Sequence, residues 1–103
     1  MNKTVIDYIR VSIRRAVHEV TPEAAEAFSD IRKSSVADNE KYYVALFSTD
    51  RMLRQTQINT VRDLLDKFMS TVPGYSGSIR LLTTNIEPDD WPGLICQVTF
   101  KEE

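Results

Sequence analysis

The chain has 103 residues, of which 42% are hydrophobic and 27% are charged, with a net charge of −2 and one cysteine. This length suits a single domain, residues 1–103, and the composition is too apolar for a disordered chain. A net negative charge disfavours nucleic-acid binding, which needs a positive field. One cysteine excludes an internal disulfide and favours a reducing compartment, so we expect a cytoplasmic protein. If a phage encodes it, the expected location is the host cytoplasm or the virion.

The sequence does not indicate association with a membrane. Charged residues interrupt the N-terminal apolar stretch, so no signal peptide is expected, and no apolar run is long enough for a membrane span. Two helices are predicted at the start of the chain. The first covers residues 3–20, and the second runs from Pro22 to Lys33, with Thr21 as its cap and proline at its first position. The first helix has an apolar face at the 3.6-residue period, formed by Val5, Ile6, Ile9, Ile13, Ala16, Val17 and Val20.

Three strands and a third helix are predicted in the rest of the chain. Residues 42–48 are apolar and aromatic on both faces, as in a strand covered on both sides. A helix with an apolar stripe is predicted at 55–71, and strands at 78–85 and 94–101. The last strand alternates, with Leu94, Cys96, Val98 and Phe100 on one face and Ile95, Gln97, Thr99 and Lys101 on the other.

The predicted fold class is α/β (α+β), with the order α-α-β-α-β-β and a three-stranded mixed sheet packed by helices. The strand–helix–strand section is expected to form a right-handed parallel crossover, and the last two strands an antiparallel hairpin. Strand 42–48 has more apolar surface than one helical layer covers. Either another subunit or partner buries one face or edge of the sheet, or the helices cover opposite faces within one monomer.

No residues are assigned to catalysis, cofactor binding or metal binding. His18 has no partner at a spacing that suggests a general base, and it is expected to be exposed. Cys96 is expected to face the core as a small apolar side chain. The carboxylates of Glu87, Asp89 and Asp90 cluster in a loop but do not match a calcium-binding pattern, which favours a solvated turn.

Five residues are candidates for binding a protein partner. Trp91 follows the acidic pair Asp89 and Asp90, and tryptophan is enriched at binding hot spots. A tryptophan in this loop can also fold back as a lid on the core, and this interpretation is slightly favoured. Arg10 and Arg14 belong to the basic face of the first helix, for which a solvated surface is the simpler interpretation.

From residue 42 to 103 the chain resembles the tail-terminator (tail-completion) proteins of long-tailed bacteriophages. The similarity rests on the layout of YYVALFSTD leading into a helix, then SIRLLTTN, an acidic loop and the closing strand GLICQVTFKE. Members of that family form rings, usually hexameric, that cap the tail tube and meet the neck. This chain is shorter, and its predicted helix 22–33 stands where the family usually has a strand pair. The resemblance assigns no functional residues.

The functional prediction is therefore a non-enzymatic protein–protein interaction or assembly protein, with a phage tail or neck component that forms a homo-oligomer as its specific form. The expected partner is protein, either another copy or a larger complex, and neither nucleic acid nor membrane. One alternative is a small phage-type inhibitor or adaptor that blocks a host complex, which the chain resembles in composition only. A second alternative is an enzyme whose site is assembled across subunits.

Overall fold

Two helices and four strands make up the fold in a computed structural model that describes residues 3–35, 37–73 and 75–101. The order of the elements is α-β-β-α-β-β. Their bounds are α1 Lys3–Val20, β1 Ala25–Lys33, β2 Glu40–Ser48, α2 Gln55–Met69, β3 Tyr75–Ile86 and β4 Trp91–Lys101.

The four strands form one sheet in the order β1-β2-β4-β3, and each neighbouring pair is antiparallel. Strands β2 and β4 are therefore central, and β1 and β3 are the edges. Because β2 and β3 are both antiparallel to β4, they run in the same direction with β4 between them. The predicted hairpin of the last two strands is confirmed. The predicted parallel crossover joins two strands that are not neighbours.

The predicted fold class is wrong in its element order and in its three-stranded mixed sheet. The segment predicted as a second helix, Pro22–Lys33, contains strand β1, which pairs with β2. Alanines favour a helix locally, but the hydrogen-bonded ladder with β2 outweighs that propensity. A register shift between Glu26 and Phe28 also leaves Ala27 without a partner. This bulge breaks the two-residue alternation that would otherwise indicate a strand.

Both helices pack on the same face of the sheet, so the alternative in which helices cover opposite faces within one monomer is wrong. Helix α1 matches its predicted bounds, and its buried apolar residues belong to the predicted apolar face; the polar Ser12 is buried beside them. Helix α2 ends at Met69, two residues before its predicted end. The core between the helices and the sheet includes Ile9, Ile13, Val17, Val61, Leu65, Met69, Tyr43, Ala45, Phe47, Leu94, Cys96, Val98 and Phe100.

Candidate protein interface

The face of the sheet turned away from both helices is here called the open face. Its position follows from the alternation of side chains along a strand. In β4, Leu94, Cys96, Val98 and Phe100 are buried under the helices, as predicted, while the residues between them point away and are half-buried or exposed. In β2, Tyr43, Ala45 and Phe47 are buried on the helix side. The other residues of β2 therefore belong to the open face.

Four apolar residues form one row across the open face, with one residue from each strand. Phe28 pairs with Leu46, Leu46 pairs with Ile95, and Ile95 pairs with Leu82. Directly opposed residues on neighbouring strands share a face and lie in contact distance. Phe28 is 46% exposed and Leu82 is 40% exposed. This set, called the apolar row below, is a continuous hydrophobic strip from one edge of the sheet to the other.

The neighbouring row of the open face carries opposite charges at its two ends. In register order it contains Asp30, Val44, Gln97 and Arg80. Asp30 lies on edge strand β1, and its Oδ2 accepts a hydrogen bond of 3.3 Å from Nε of Arg32. This bond is the largest cause of the raised pKa of the Arg32 guanidinium. The Arg32 guanidinium also lies 5.9 Å from the ring centroid of Phe28. The row formed by Asp30, Val44, Gln97 and Arg80 is called the charged row below.

Trp91 extends the open face at its corner. It pairs with Ile86 at the start of the β3–β4 hairpin and is 52% exposed. The structure therefore does not support a role as a lid on the core. Asp89 and Asp90 are exposed in the adjoining loop, where Asp90 has a φ of 58°, a left-handed conformation that aspartate tolerates. Three of the five predicted partner-binding residues thus lie together at one corner of the open face.

The other two predicted partner-binding residues lie on α1 and are engaged within the chain. Nε of Arg10 donates to the hydroxyl of Tyr43 at 3.2 Å, and this bond raises the pKa of the guanidinium. Arg14 makes two hydrogen bonds to the carboxylate of Glu26, at 3.1 Å and 3.2 Å, which raise its pKa in the same way. The structure therefore does not bring Arg10 and Arg14 together with Trp91.

The reactive side chains that the structure describes lie in separate environments. Cys96 is buried as predicted, and burial raises the pKa of its thiol to about 12, which keeps it protonated. His18 is exposed as predicted, and its Nε2 donates to the carbonyl oxygen of Ala24 at 2.9 Å, so the ring braces the turn after α1. Burial and a hydrogen bond to Asp66 raise the pKa of Tyr75. Across residues 3–35, 37–73 and 75–101, no three His, Cys, Asp or Glu side chains are placed to hold a metal ion.

Two concave surfaces are lined by residues that the structure describes. One pocket of about 240 Å³ lies between the start of α1 and the segment after α2, and Val5, Tyr8 and Val72 contribute to its wall. A second, shallow depression is lined by Arg15, His18, Glu19 and Pro22. Among the described parts of the chain, no helix is long and apolar enough to cross a membrane.

The apolar row is the main feature that sequence reasoning missed. The sequence predicts a helix at Phe28 and a strand covered on both sides at Leu46. The available signal was the alternation of β4, which placed Ile95 on the face opposite the core. The positions of the other three residues depend on strand pairing, which no local pattern shows.

Comparisons with known proteins add no relative. No protein-family model, curated protein sequence or solved structure matches this chain. The resemblance to tail-terminator proteins therefore stays a prediction.

Proposed function

We propose that this chain is a non-enzymatic protein–protein interaction or assembly protein that binds its partner through the open face. The observation that carries the proposal is the apolar row, which crosses all four strands on a face that neither helix covers. Contiguous exposed apolar patches are uncommon on monomeric proteins and usually mark binding surfaces.

The apolar side chains of the open face are exposed enough for their burial by a partner to stabilise a complex. Complete burial of a large apolar side chain contributes roughly 1.5–3 kcal/mol, so covering a half-exposed one contributes on the order of 1 kcal/mol. Phe28, Leu82 and Trp91 are all exposed to about this extent. Leu46 and Ile95 lie between the edge residues and would complete a dry centre surrounded by polar groups, which is the usual anatomy of an interface.

The specific form of this proposal is a phage tail or neck component, and it rests on the resemblance over residues 42–103. One departure from that family is the predicted helix at 22–33, where its members usually have a strand pair. At this position the structure has a single strand, β1, which pairs with β2. A strand here is closer to that family's layout than a helix is, and it assigns no functional residue.

A second candidate function is the inhibitor or adaptor, favoured by the corner of the open face. Trp91 is exposed beside the carboxylates of Asp89 and Asp90. An aromatic anchor next to acidic groups suits a partner that offers an apolar pocket with a basic rim. The enzyme assembled across subunits has no comparable supporting observation.

Site-specific photo-crosslinking tests the proposed function. A photoreactive phenylalanine analogue replaces Leu82 on the open face, and in a control protein it replaces Asp63, which is exposed on α2. Both proteins are irradiated in cells that naturally express the chain, and crosslinked species are identified by mass spectrometry. We expect a discrete identified protein adduct at position 82 and none, or a different set, at position 63.

The identity of the adduct separates the candidate functions. A crosslink to a second copy or to a virion protein supports assembly, whereas a crosslink to one host complex supports the inhibitor or adaptor. Equal adducts at both positions, or none at position 82 under conditions in which position 63 reacts, would contradict a binding role for the open face.

A further inference from the structure

We propose that the partner of the open face is a second copy of this chain, bound face to face about a twofold axis parallel to the strands. This inference rests on the proposed function and specifies its partner. It follows from the order of residues within the two rows, which is complementary to itself under that symmetry.

A twofold axis parallel to the strands, placed between β2 and β4, exchanges the two sides of the sheet. Strand β1 of one copy then lies over β3 of the other, and β2 lies over β4. Residues of one row stay at the same height along the axis. Two sheets packed in the aligned manner differ in strand direction by about 30°, so residues near the axis keep this correspondence closely.

The apolar row matches itself under this operation. Leu46 of one copy faces Ile95 of the other near the axis, and Phe28 faces Leu82 towards each edge. Every contact occurs twice, as a twofold interface requires. Branched aliphatic side chains therefore pack at the centre, and an aromatic ring packs on an aliphatic side chain at each side.

The charged row is complementary to itself under the same operation. Asp30 of one copy lies opposite Arg80 of the other, and this pairing also occurs twice. Within the described segments Arg80 forms no ion pair of its own, so its guanidinium is available to a partner. Asp30 is half-exposed; its Oδ1 accepts a hydrogen bond from the backbone N–H of Ile31 at 2.8 Å and its Oδ2 accepts one from Arg32 at 3.3 Å. Each carboxylate oxygen has two lone pairs, so each can accept a further hydrogen bond from a partner.

An axis perpendicular to the strands does not give this match. Centred on the charged row, it places Asp30 on Asp30 and Arg80 on Arg80, and such juxtaposition of like charges is unfavourable. Centred on the apolar row, it places Arg80 against Thr84, one row beyond Leu82, and leaves the guanidinium without a carboxylate. The charges therefore select the axis parallel to the strands.

The size of the face is sufficient for a specific dimer. Four strands about 4.8 Å apart, with β2 nine residues long, give a face of about 19 Å by 30 Å. Two such faces together cover roughly 1,100 Å² in projection, and side-chain relief makes the accessible area larger. Stable specific interfaces begin near 1,200 Å² of accessible surface.

Charge reversal at the two ends of the charged row tests the arrangement. Analytical ultracentrifugation measures the dimer dissociation constant of the full chain, of Asp30→Arg, of Arg80→Asp, and of their equimolar mixture. Each single variant places like charges in contact twice, so we expect each to dimerise about tenfold more weakly or worse. In the mixture both charge pairs are restored between unlike copies, so we expect a heterodimer close to wild-type affinity.

Two control variants test whether dimerisation depends on the open face and not on net charge alone. Lys67→Asp changes the net charge as Arg80→Asp does, but it lies on α2 in the other layer, so its dimerisation should equal that of the wild type. Leu46→Arg removes the centre of the apolar row and should abolish the dimer. Circular dichroism and thermal melting establish that each variant is folded.

Three results would overturn the proposal. A wild-type chain that remains monomeric up to about 0.5 mM has no self-association of this kind, while crosslinking at position 82 still tests the open face for other partners. A dimer that is insensitive to the charge reversals, or whose mixture shows no restoration, uses another arrangement. An oligomer that survives Leu46→Arg lies on a different surface, and this result would also count against the proposed function.

Discussion

A hydrogen bond between Arg10 and Tyr43 connects helix α1 to strand β2. Nε of Arg10 donates a 3.2 Å hydrogen bond to the phenolic oxygen of Tyr43, although the two residues are 33 positions apart. Tyr43 is only 1% exposed, so its hydroxyl has little access to water. The guanidinium lies 5.9 Å from the ring centroid of the same residue. A basic helix face that looked solvated in the sequence therefore has a structural role here.

Removal of this hydroxyl should destabilise the fold modestly. We expect Tyr43→Phe to lower the free energy of unfolding by about 0.5–1.5 kcal/mol, because Arg10 loses its acceptor but can be hydrated from the solvent side. Urea denaturation followed by circular dichroism measures the change. Tyr8→Phe is the control, because Tyr8 is exposed on the same helix as Arg10 and the loss of its hydroxyl should have almost no effect on stability. Equal midpoints for both variants and the wild type would contradict the structural role.

Helix α2 should be sensitive to truncation on its core side. Leu65 is fully buried against the sheet and α1, so Leu65→Ala should cost about 2–5 kcal/mol through lost burial and the cavity left behind. The same truncation at Leu82, on the open face, should cost less than about 1 kcal/mol. Thermal unfolding at low micromolar concentration compares the two without a contribution from association. Similar losses for both would mean that the open face is covered within the monomer.

Gly93 and Ile86 should be coupled energetically. A Cβ added at Gly93 would lie 3.0 Å from two side-chain carbons of Ile86 and 3.2 Å from the carbonyl oxygen of Phe47. We expect Gly93→Ala to lower the free energy of unfolding by about 1–3 kcal/mol, because the added methyl group overpacks this site. In the Ile86→Ala background the same substitution should cost less, since the nearest side chain is shorter. A double-mutant cycle by chemical denaturation measures the coupling, and strict additivity would contradict it.

Stability should fall in alkaline solution because of Cys96. The pKa of its buried thiol is raised to about 12, whereas an unfolded thiol titrates near 8.5. The folded state therefore keeps a proton that the unfolded state releases. The stabilisation is complete below pH 8.5 and is lost progressively as the pH rises towards 12, at about 1.4 kcal/mol per pH unit.

Comparison with Cys96→Ala isolates this effect from other alkaline titrations. The wild type should lose about 2 kcal/mol more than the variant between pH 8 and pH 10. Guanidinium denaturation in a non-thiol buffer at each pH provides the free energies. Parallel pH profiles for the two proteins would show that the thiol ionises equally in both states.

Local patterns in the sequence predicted the elements whose burial is simple. Helix α1 has one apolar face against one core, and β4 alternates between a buried and an open side, so both were recognisable. The turn residues between β3 and β4 identified the hairpin. Strand β1 was not recognisable, because its alanines favour a helix and its bulge between Glu26 and Phe28 interrupts the alternation. Its position depends on pairing with β2, which is a tertiary interaction.

In the candidate interface, too, a local pattern predicts some of the residues, and strand pairing brings the others together. Trp91, Asp89 and Asp90 were chosen from a local composition of aromatic and acidic residues, and the structure places them at one corner of the open face. The apolar row required the register of three strand pairs, which links residues far apart in the chain. The basic character of the first helix makes Arg10 and Arg14 candidates, but it does not show that Tyr43 and Glu26 approach them from the sheet.

Because the single thiol is completely buried, its rate of alkylation reports the opening motions of the fold. Cys96 lies in a central strand under both helices, so an alkylating reagent can reach it only when a large part of the fold separates. Its modification rate under native conditions therefore reports how often the molecule opens. A bound partner would slow this reaction even if it never touches Cys96, so one unlabelled protein and one reagent can screen for ligands of the open face.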